Sequence, residues 1–151
     1  MGYHVGGLIF HFIDVRRTDF LEMTLHHTVA LYLYGGSYMF NVWETGAVIA
    51  YLHDLTDITV SMVKTVSETE FKLTTVAVFV IHMFMWFYVR LLIFPYCIYK
   101  IKVTDIDFGH WCIKPIYMYL LSCLFLLHIY WFQLFVRVLV HYASSNSTED
   151  V

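Results

Sequence analysis

The sequence predicts an all-α protein: a polytopic membrane helix bundle of about four spanning helices, with a partial helix at the N-terminus. Hydrophobic residues make up 60% of the 151 residues and charged residues only 14%, which is too little charge to cover a soluble surface. The apolar residues fall into long blocks. Two of them, 73–99 and 115–140, exceed the roughly 20 residues that a helix needs to cross a bilayer.

The chain begins with an apolar stretch, 2–13, that is too short to span a bilayer. It lacks the basic start and the small-residue cleavage site of a signal peptide. We interpret it as the end of a helix whose beginning precedes the chain. A polar break at 14–19 separates it from a third apolar block, 20–42, and a fourth block covers 46–66.

The third and fourth blocks contain ionisable residues, and an Asp at the centre of a spanning helix costs roughly 2.5–3.5 kcal/mol on insertion scales. They are predicted to span because their polar groups can face each other or water. The connections 41–45, 65–72 and 100–114 are short, so consecutive helices should be antiparallel neighbours. The stretch 144–151 (SSNSTEDV) is predicted to be a disordered acidic tail, which leaves 1–143 as the membrane domain.

Five ionisable residues in these two blocks lie at matching depths. Two of them precede the connection at Asn41 and three follow it, and all are at nearly the same distance from it along the chain. With a rise of about 1.5 Å per residue, all five are level in an antiparallel pair, about 20 Å from the connection. We therefore predict that they line one polar chamber. The five residues are His26, His27, His53, Asp54 and Asp57.

The residue types of this group suit acid–base or acyl-transfer chemistry. Carboxylates that are hydrogen-bonded to imidazoles in a partly hydrated cavity avoid the cost of isolated charges in hydrocarbon. An imidazole held by a carboxylate can act as a general base towards an amine or water, or as a nucleophile in acyl transfer. A second imidazole could donate to a developing oxyanion. A purely structural polar clamp between the two helices stays open as an alternative.

A metal site is a second alternative, because His and Asp are good metal ligands. The H-x-x-x-H and H-x-x-H-H boxes are absent, and the adjacent His26 and His27 point about 100° apart on a helix. We therefore predict no metal and no cofactor. The net charge of −3 and the lack of a dense basic tract argue against a nucleic-acid partner. The single histidines are interpreted as interior or interfacial groups: His4, His11, His82, His110, His128 and His141.

The stretch 16–64 resembles the Lag motif of ceramide synthases, within the TLC domain superfamily. The chain reads RRTDFLEMTLHH, SYMFN, HDLTD and then Lys64. The family pattern is Arg-(basic)-x-Asp-Phe-x-Glu-Met, His-His, Ser-Tyr-x-x-Asn, His-Asp-x-x-Asp and a later Lys. The likeness continues through RLLIFP and HIYWFQLFVRVL, so it covers nearly the whole chain. It implies a truncated TLC-type barrel, the C-terminal half of a ceramide synthase without its N-terminal helices.

The resemblance implies N-acylation of a sphingoid base in the endoplasmic reticulum membrane, with acyl-CoA as co-substrate. In that reaction His26 and His27 would be the acyl-accepting or general-base residues. Asp54 and Asp57 would orient them and stabilise charge, and His53 would join them.

Four basic residues are candidates for substrate binding. Arg16, Arg17 and Lys64 fall at the same helix ends and could attract the phosphates of CoA, or could simply be interfacial anchors. Arg90 lies inside a predicted span, so it should pair with an acid, extend to the interface or meet an anionic substrate group.

Two other functions remain open at this point. The chain could be a non-catalytic structural subunit of a larger membrane complex, in another organelle membrane, or it could be a sphingolipid-binding module. A homo-oligomer that completes the barrel is a further expectation for its partners.

Overall fold

The structure, a computed structural model, describes residues 20–68, 72–104, 106, 108–109 and 111–149. Over these residues the chain is helical and contains no strand, so the predicted all-α membrane helix bundle is confirmed. Four long helices follow one another, and the third is interrupted by a π-helical segment. The elements are α1 (Phe20–Met39), α2 (Trp43–Ser67), α3 (Lys72–Trp86), the π-helical segment (Phe87–Ile93), α4 (Phe94–Val103) and α5 (Ile113–Glu149).

Two helices in the described part of the chain are long and apolar enough to cross a bilayer. They are Lys72–Val103, which comprises α3, the π-helical segment and α4, and Ile113–Ser144 in α5. Only 22% and 17% of their most apolar stretches are buried inside the protein, so most of this apolar surface faces outward, as contact with lipid requires. The helix predicted within 2–13 lies outside the described residues.

The last helix is longer than the sequence predicts. α5 continues to Glu149, so the backbone at 144–149 is helical where a disordered tail is expected from residue 144. Residues 141–149 contain no Gly or Pro to end the helix. The domain boundary at residue 143 stays a prediction.

A tight turn and a close approach join α1 to α2. Asn41 adopts a left-handed conformation with φ 55°, which asparagine tolerates better than most residues. The amide of Val42 donates to the carbonyl of Ser37 across 2.9 Å. Gly46 in the first turn of α2 lies so close to Ser37 that a Cβ at Gly46 would overlap the serine side chain. The two helices are thereby held as close antiparallel neighbours, as predicted.

The π-helical segment precedes Pro95, which occupies the first turn of α4. Proline has no amide hydrogen and its ring clashes with the preceding turn, so it cannot make the regular i→i−4 bond. The wider π-helical register lets the helix continue past this position. The segment carries Arg90, which points into the bundle and is 1% exposed.

The hydrophobic core lies between the second half of α1, the first half of α2, α4 and the first half of α5. Phe94, 0% exposed, stands at its edge, with its ring 5.6 Å from that of His53 and 4.9 Å from that of His128. The polar residues described below therefore adjoin the core directly. The buried core residues are Val29, Leu33, Val42, Ile49, Phe94, Ile101, Phe108, Tyr117, Leu121 and Leu124.

Candidate active site

Three buried histidines from three different helices meet inside the bundle. His26 comes from α1, His53 from α2 and His128 from α5, and they are 7%, 1% and 0% exposed. The ring centroids of His26 and His53 lie 5.8 Å apart, and those of His53 and His128 lie 5.2 Å apart. We call these three residues the histidine cluster. The structure thus brings together two of the five residues that the sequence singles out, and it adds His128.

Sequence reasoning missed His128, because a single histidine in an apolar helix more often has a structural role. Counting residues from the helix ends would have placed His128 at the level of the other two histidines. If successive spans alternate in direction, α5 begins on the same side of the bundle as the turn at Asn41. His128 then lies about as deep from the start of α5 as His26 lies from the end of α1. The sequence does not fix the rotation of α5 that turns His128 inward.

Arg90 binds residues of two helices at once. Its Nε donates to Oγ1 of Thr56 at 2.7 Å, and its Nη2 donates to the carbonyl of His53 at 3.3 Å. Nη2 also forms an ion pair with Oδ1 of Asp57 at 3.2 Å, and Nη1 lies 2.7 Å from Nε2 of His128. The expected pairing with an acid is therefore present. Four protein partners hold this buried guanidinium, and a substrate contact of Arg90 stays a prediction.

Trp86, one turn before Arg90, supports the same arrangement. Its indole Nε1 donates to the backbone carbonyl of His128 at 3.2 Å. Its ring also lies under the guanidinium, with Cζ of Arg90 4.9 Å from the ring centroid. Such a cation–π contact stabilises a desolvated cation. Trp86 therefore fixes both the backbone at His128 and the charge beside it.

The hydrogen bonds of His128 and of His53 show, for each ring, which of its two nitrogens carries the proton. Arginine only donates, so Nε2 of His128 must accept from Arg90, and the ring proton of His128 lies on Nδ1. Nδ1 of His53 lies 2.8 Å from the carbonyl of Ile49, to which only a protonated nitrogen can donate. In neutral His53 the remaining nitrogen, Nε2, is therefore an acceptor. The cluster thus combines a donor nitrogen on His128 with an acceptor nitrogen on His53.

The spacing of the cluster also invites a comparison with metal sites. One ring nitrogen from each of the three histidines lies within 4.8 Å of the others, which is near the spacing of a three-histidine site. His128 has no lone pair to offer, because Nε2 accepts from Arg90 and Nδ1 carries the proton. The remaining donors are two imidazoles, from His26 and His53. This donor set fits acid–base chemistry better than a three-histidine metal site.

His27 lies next to the cluster. It is 8% exposed, and its ring centroid is 5.4 Å from that of His26, in an edge-to-face arrangement. Both members of the adjacent pair are therefore buried, although they point in different directions from α1. His26 additionally contacts Trp131 of α5, with ring centroids 5.3 Å apart.

Asp54 does not face the histidine cluster; it is exposed. Successive residues of a helix are turned by about 100°, so the inward position of His53 turns Asp54 aside. Asp54 and Asp57 instead line a groove of about 660 Å³ that α2 forms with α3. Asp57 belongs to both places, because its carboxylate also binds Arg90. The lining residues of this groove are Asp54, Asp57, Ile58, Ser61, Met62, Thr65, Val66 and Val78.

The remaining predicted residues that the structure describes lie outside the cluster. Lys64 is exposed in the last turn of α2, and residues 16 and 17 lie outside the described residues. His82 is an interior histidine with a partner, as expected: its Nδ1 lies 2.8 Å from Oγ1 of Thr59. His141 is exposed on α5.

Comparison with known proteins gives the family. The TLC domain profile matches residues 1–137. Ceramide synthase 4 of Mus musculus is 35% identical over 100% of this chain and 39% of its own length, and its Homo sapiens counterpart is 32% identical over 99% and 38%. Ceramide synthase hyl-1 of Caenorhabditis elegans is 27% identical over 99% and 45%. The chain therefore spans about two fifths of these relatives, the resemblance to ceramide synthases is confirmed, and the chain belongs to the TLC domain family.

Proposed function

We propose that the chain is an N-acyltransferase of the ceramide synthase type. It would transfer a fatty acyl group from acyl-CoA to the amine of a sphingoid base in the endoplasmic reticulum membrane. One observation carries this proposal: histidines from three helices converge in a buried site, beside a groove that bears two carboxylates. The similarity to proteins named ceramide synthases supports the same reaction.

The reaction needs a base and loses a thiol. The nitrogen of the neutral amine attacks the thioester carbon, the C–N bond forms, and the C–S bond then breaks. The proton that the amine loses passes to an imidazole and from there to the departing thiolate, which leaves as CoA thiol. In the covalent variant, an imidazole nitrogen attacks the thioester carbon, the C–S bond breaks, and the thiolate leaves as CoA thiol with the proton of the ring. The amine then attacks the acyl carbon, the bond from that carbon to the imidazole breaks, and the proton that the amine loses returns to the ring.

His53 and His26 fit the base and the acyl acceptor. The bond from Nδ1 of His53 to Ile49 leaves Nε2 as the acceptor nitrogen of the neutral ring. The ring of His26 stacks on that of His53 at 5.8 Å, so a group held at one ring is within reach of the other. His27 remains a candidate through its contact with His26.

The groove suits the amine substrate. Its polar end carries Asp54 and Asp57, and its apolar lining includes Ile58, Met62 and Val78. A long-chain amine that enters as an ammonium ion would meet the carboxylates with its head and the apolar residues with its chain, and would give up one proton to water before the neutral nitrogen attacks. Asp57 connects this groove to the cluster through Arg90.

The phosphates of CoA require a cationic surface outside the apolar region. Lys64, exposed at the end of α2, is one candidate, and Arg16 and Arg17 precede α1 in the sequence. Their attraction to phosphate would be electrostatic and would weaken with salt.

The proposal is tested by acyl transfer from labelled acyl-CoA to sphinganine in proteoliposomes that carry the purified chain. We expect N-acylated product with the wild-type chain and a large loss with His26→Ala or His27→Ala. Product formation that is the same with and without the chain would overturn the proposal. If a photoactivatable sphinganine labels the groove without turnover, the chain is a lipid-binding module instead.

A further inference from the structure

We propose that His128 donates a hydrogen bond from Nδ1 to the oxyanion that forms during acyl transfer, and that Arg90 is the positioning residue that keeps His128 in this donor state. This inference rests on the proposed function and adds a residue that its chemistry does not otherwise use. It follows from the contacts of the two side chains with α2 and α3 rather than from the sequence.

Arg90 fixes which nitrogen of the His128 imidazole carries the proton. Nη1 of Arg90 lies 2.7 Å from Nε2 of His128, and a guanidinium has no lone pair with which to accept. The contact therefore exists only while Nε2 of His128 is unprotonated. The proton is held on Nδ1, and His128 cannot act as a base at either nitrogen while Arg90 occupies Nε2.

The protonated nitrogen of His128 lies inside the protein. His128 is 0% exposed, and its Nδ1 has no hydrogen-bond partner among the described residues. A buried polar group without a partner is uncommon in folded proteins and calls for an explanation, of which a catalytic role is one. A donor kept unpaired in the resting protein is ready to bind charge that appears only during the reaction.

Neighbouring residues hold the His128 side chain in place. The backbone carbonyl of His128 accepts from Trp86, and the ring is packed against Phe94 at 4.9 Å. Arg90 itself is fixed by Thr56 and Asp57. A donor that is already oriented needs no reorganisation when the charge develops, which is the condition for strong transition-state stabilisation.

His53 can accept the proton of the amine, and His128 can donate a hydrogen bond to the oxyanion. The rings of His53 and His128 are in contact, with centroids 5.2 Å apart, so a carbonyl group bound at their common edge can direct its oxygen to His128 while the attacking amine faces His53. When the C–N bond forms, the carbonyl π electrons move to oxygen and Nδ1–H of His128 binds that oxyanion. When the C–S bond breaks, the carbonyl reforms, and the proton taken from the amine leaves with the thiol. His128 keeps its own proton throughout.

Kinetics of two variants at this position test the oxyanion role. Gln can accept from Arg90 with its oxygen and donate with its amide nitrogen, whereas Leu can do neither. We expect His128→Leu to lower kcat by about 10²–10³-fold, with KM changed less than about threefold. His128→Gln should retain at least about tenfold more kcat than His128→Leu. The control is His82→Leu, an equally buried histidine outside the cluster, which should retain most of its kcat.

Two kinetic results would overturn the inference. One is a kcat close to wild type for a His128→Leu chain that circular dichroism shows to be folded, and the other is a His128→Gln chain that is no more active than His128→Leu.

A measurement that does not depend on turnover separates this inference from the proposed function. In ¹⁵N spectra of the histidine-labelled chain, the resonances that disappear in His128→Gln should be those of an Nδ1–H tautomer. An Nε2–H tautomer there would refute the role of Arg90 even where acyl transfer occurs. A wild-type chain with the Nδ1–H tautomer but no acyl transfer would remove the proposed function and the oxyanion role, and leave only the positioning by Arg90.

Discussion

The carboxylate of Asp57 lies 3.2 Å from the guanidinium of Arg90, and the two side chains differ greatly in exposure, at 31% and 1%. Asp57 therefore joins two parts of the molecule: it balances a buried cation on one side and lines the groove on the other. A guanidinium that is buried without a counter-charge would cost several kcal/mol. This ion pair is the structural link between the groove and the histidine cluster.

We expect Asp57→Leu to lower the free energy of unfolding by about 3 kcal/mol, because it leaves the charge of Arg90 buried and uncompensated. The double variant Asp57→Leu/Arg90→Leu should lose clearly less than the sum of the two single variants. Unfolding in mixed detergent micelles, followed by tryptophan fluorescence, measures these differences. Asp54→Leu is the control, since Asp54 is exposed, and should change stability by less than about 0.5 kcal/mol. Strict additivity in the double variant would contradict the ion pair.

The close approach of α1 and α2 depends on the absence of a side chain at residue 46. Gly46→Ala would place its Cβ on the side chain of Ser37, so we expect a loss of about 1–3 kcal/mol in unfolding free energy. Gly35→Ala is the matched control, because nothing lies within 4 Å of a Cβ there. It should be neutral or slightly stabilising, since alanine favours helix more than glycine does. Equal effects of the two substitutions would show that the helices are farther apart.

The contact between α2 and α3 includes a hydrogen bond whose direction is defined. The hydroxyl of Thr59 donates to the carbonyl of Thr56 at 2.7 Å, so its oxygen accepts from Nδ1 of His82. Thr59→Val removes this acceptor and leaves a buried donor unpaired, which should cost about 1–2 kcal/mol. Thr65→Val is the control, because Thr65 is exposed and its hydroxyl donates to Ser61 of the same helix. Thermal unfolding of the two variants should separate them clearly, and equal transition temperatures would argue against the bond.

The exposed carboxylate of Asp54 should affect substrate affinity rather than the chemical step. We expect Asp54→Asn to raise KM for the sphingoid base about two- to fivefold, the factor that corresponds to roughly 0.5–1 kcal/mol for an exposed ion pair, with kcat nearly unchanged. Glu44→Gln removes an exposed carboxylate in the first turn of α2, outside the groove lining, and should leave KM as it is. An unchanged KM in Asp54→Asn would exclude this end of the groove as the amine site.

The sequence predicts the pairing of His26 with His53 because a short connection sets the register of two antiparallel helices. Counting residues from Asn41 is then enough to place them at one level. Counting residues does not determine the rotation of a helix about its own axis. It depends on which face packs against neighbouring helices, and that is why Asp54 could be assigned to the chamber although it faces the groove.

The third member of the cluster illustrates what requires tertiary structure. His128 lies in a helix that is apolar on most sides, so no periodic pattern marks its inward face. Its role emerges only with Arg90, whose own direction depends on the π-helical segment before Pro95. The sequence identifies Arg90 as a charge that needs a partner, but it does not identify all of the partners.

The role of the histidine cluster is tested by comparing kcat for acyl transfer in two variants, His53→Ala and His82→Ala, reconstituted at equal amounts in proteoliposomes. Both histidines are buried, at 1% and 2% exposure, so both substitutions disturb the interior, but only His53 belongs to the cluster. We predict that His53→Ala loses at least about 100-fold in kcat, the usual contribution of a positioned base, while His82→Ala stays near wild type. Equal activities in the two variants would contradict the assignment of the chemistry to the histidine cluster.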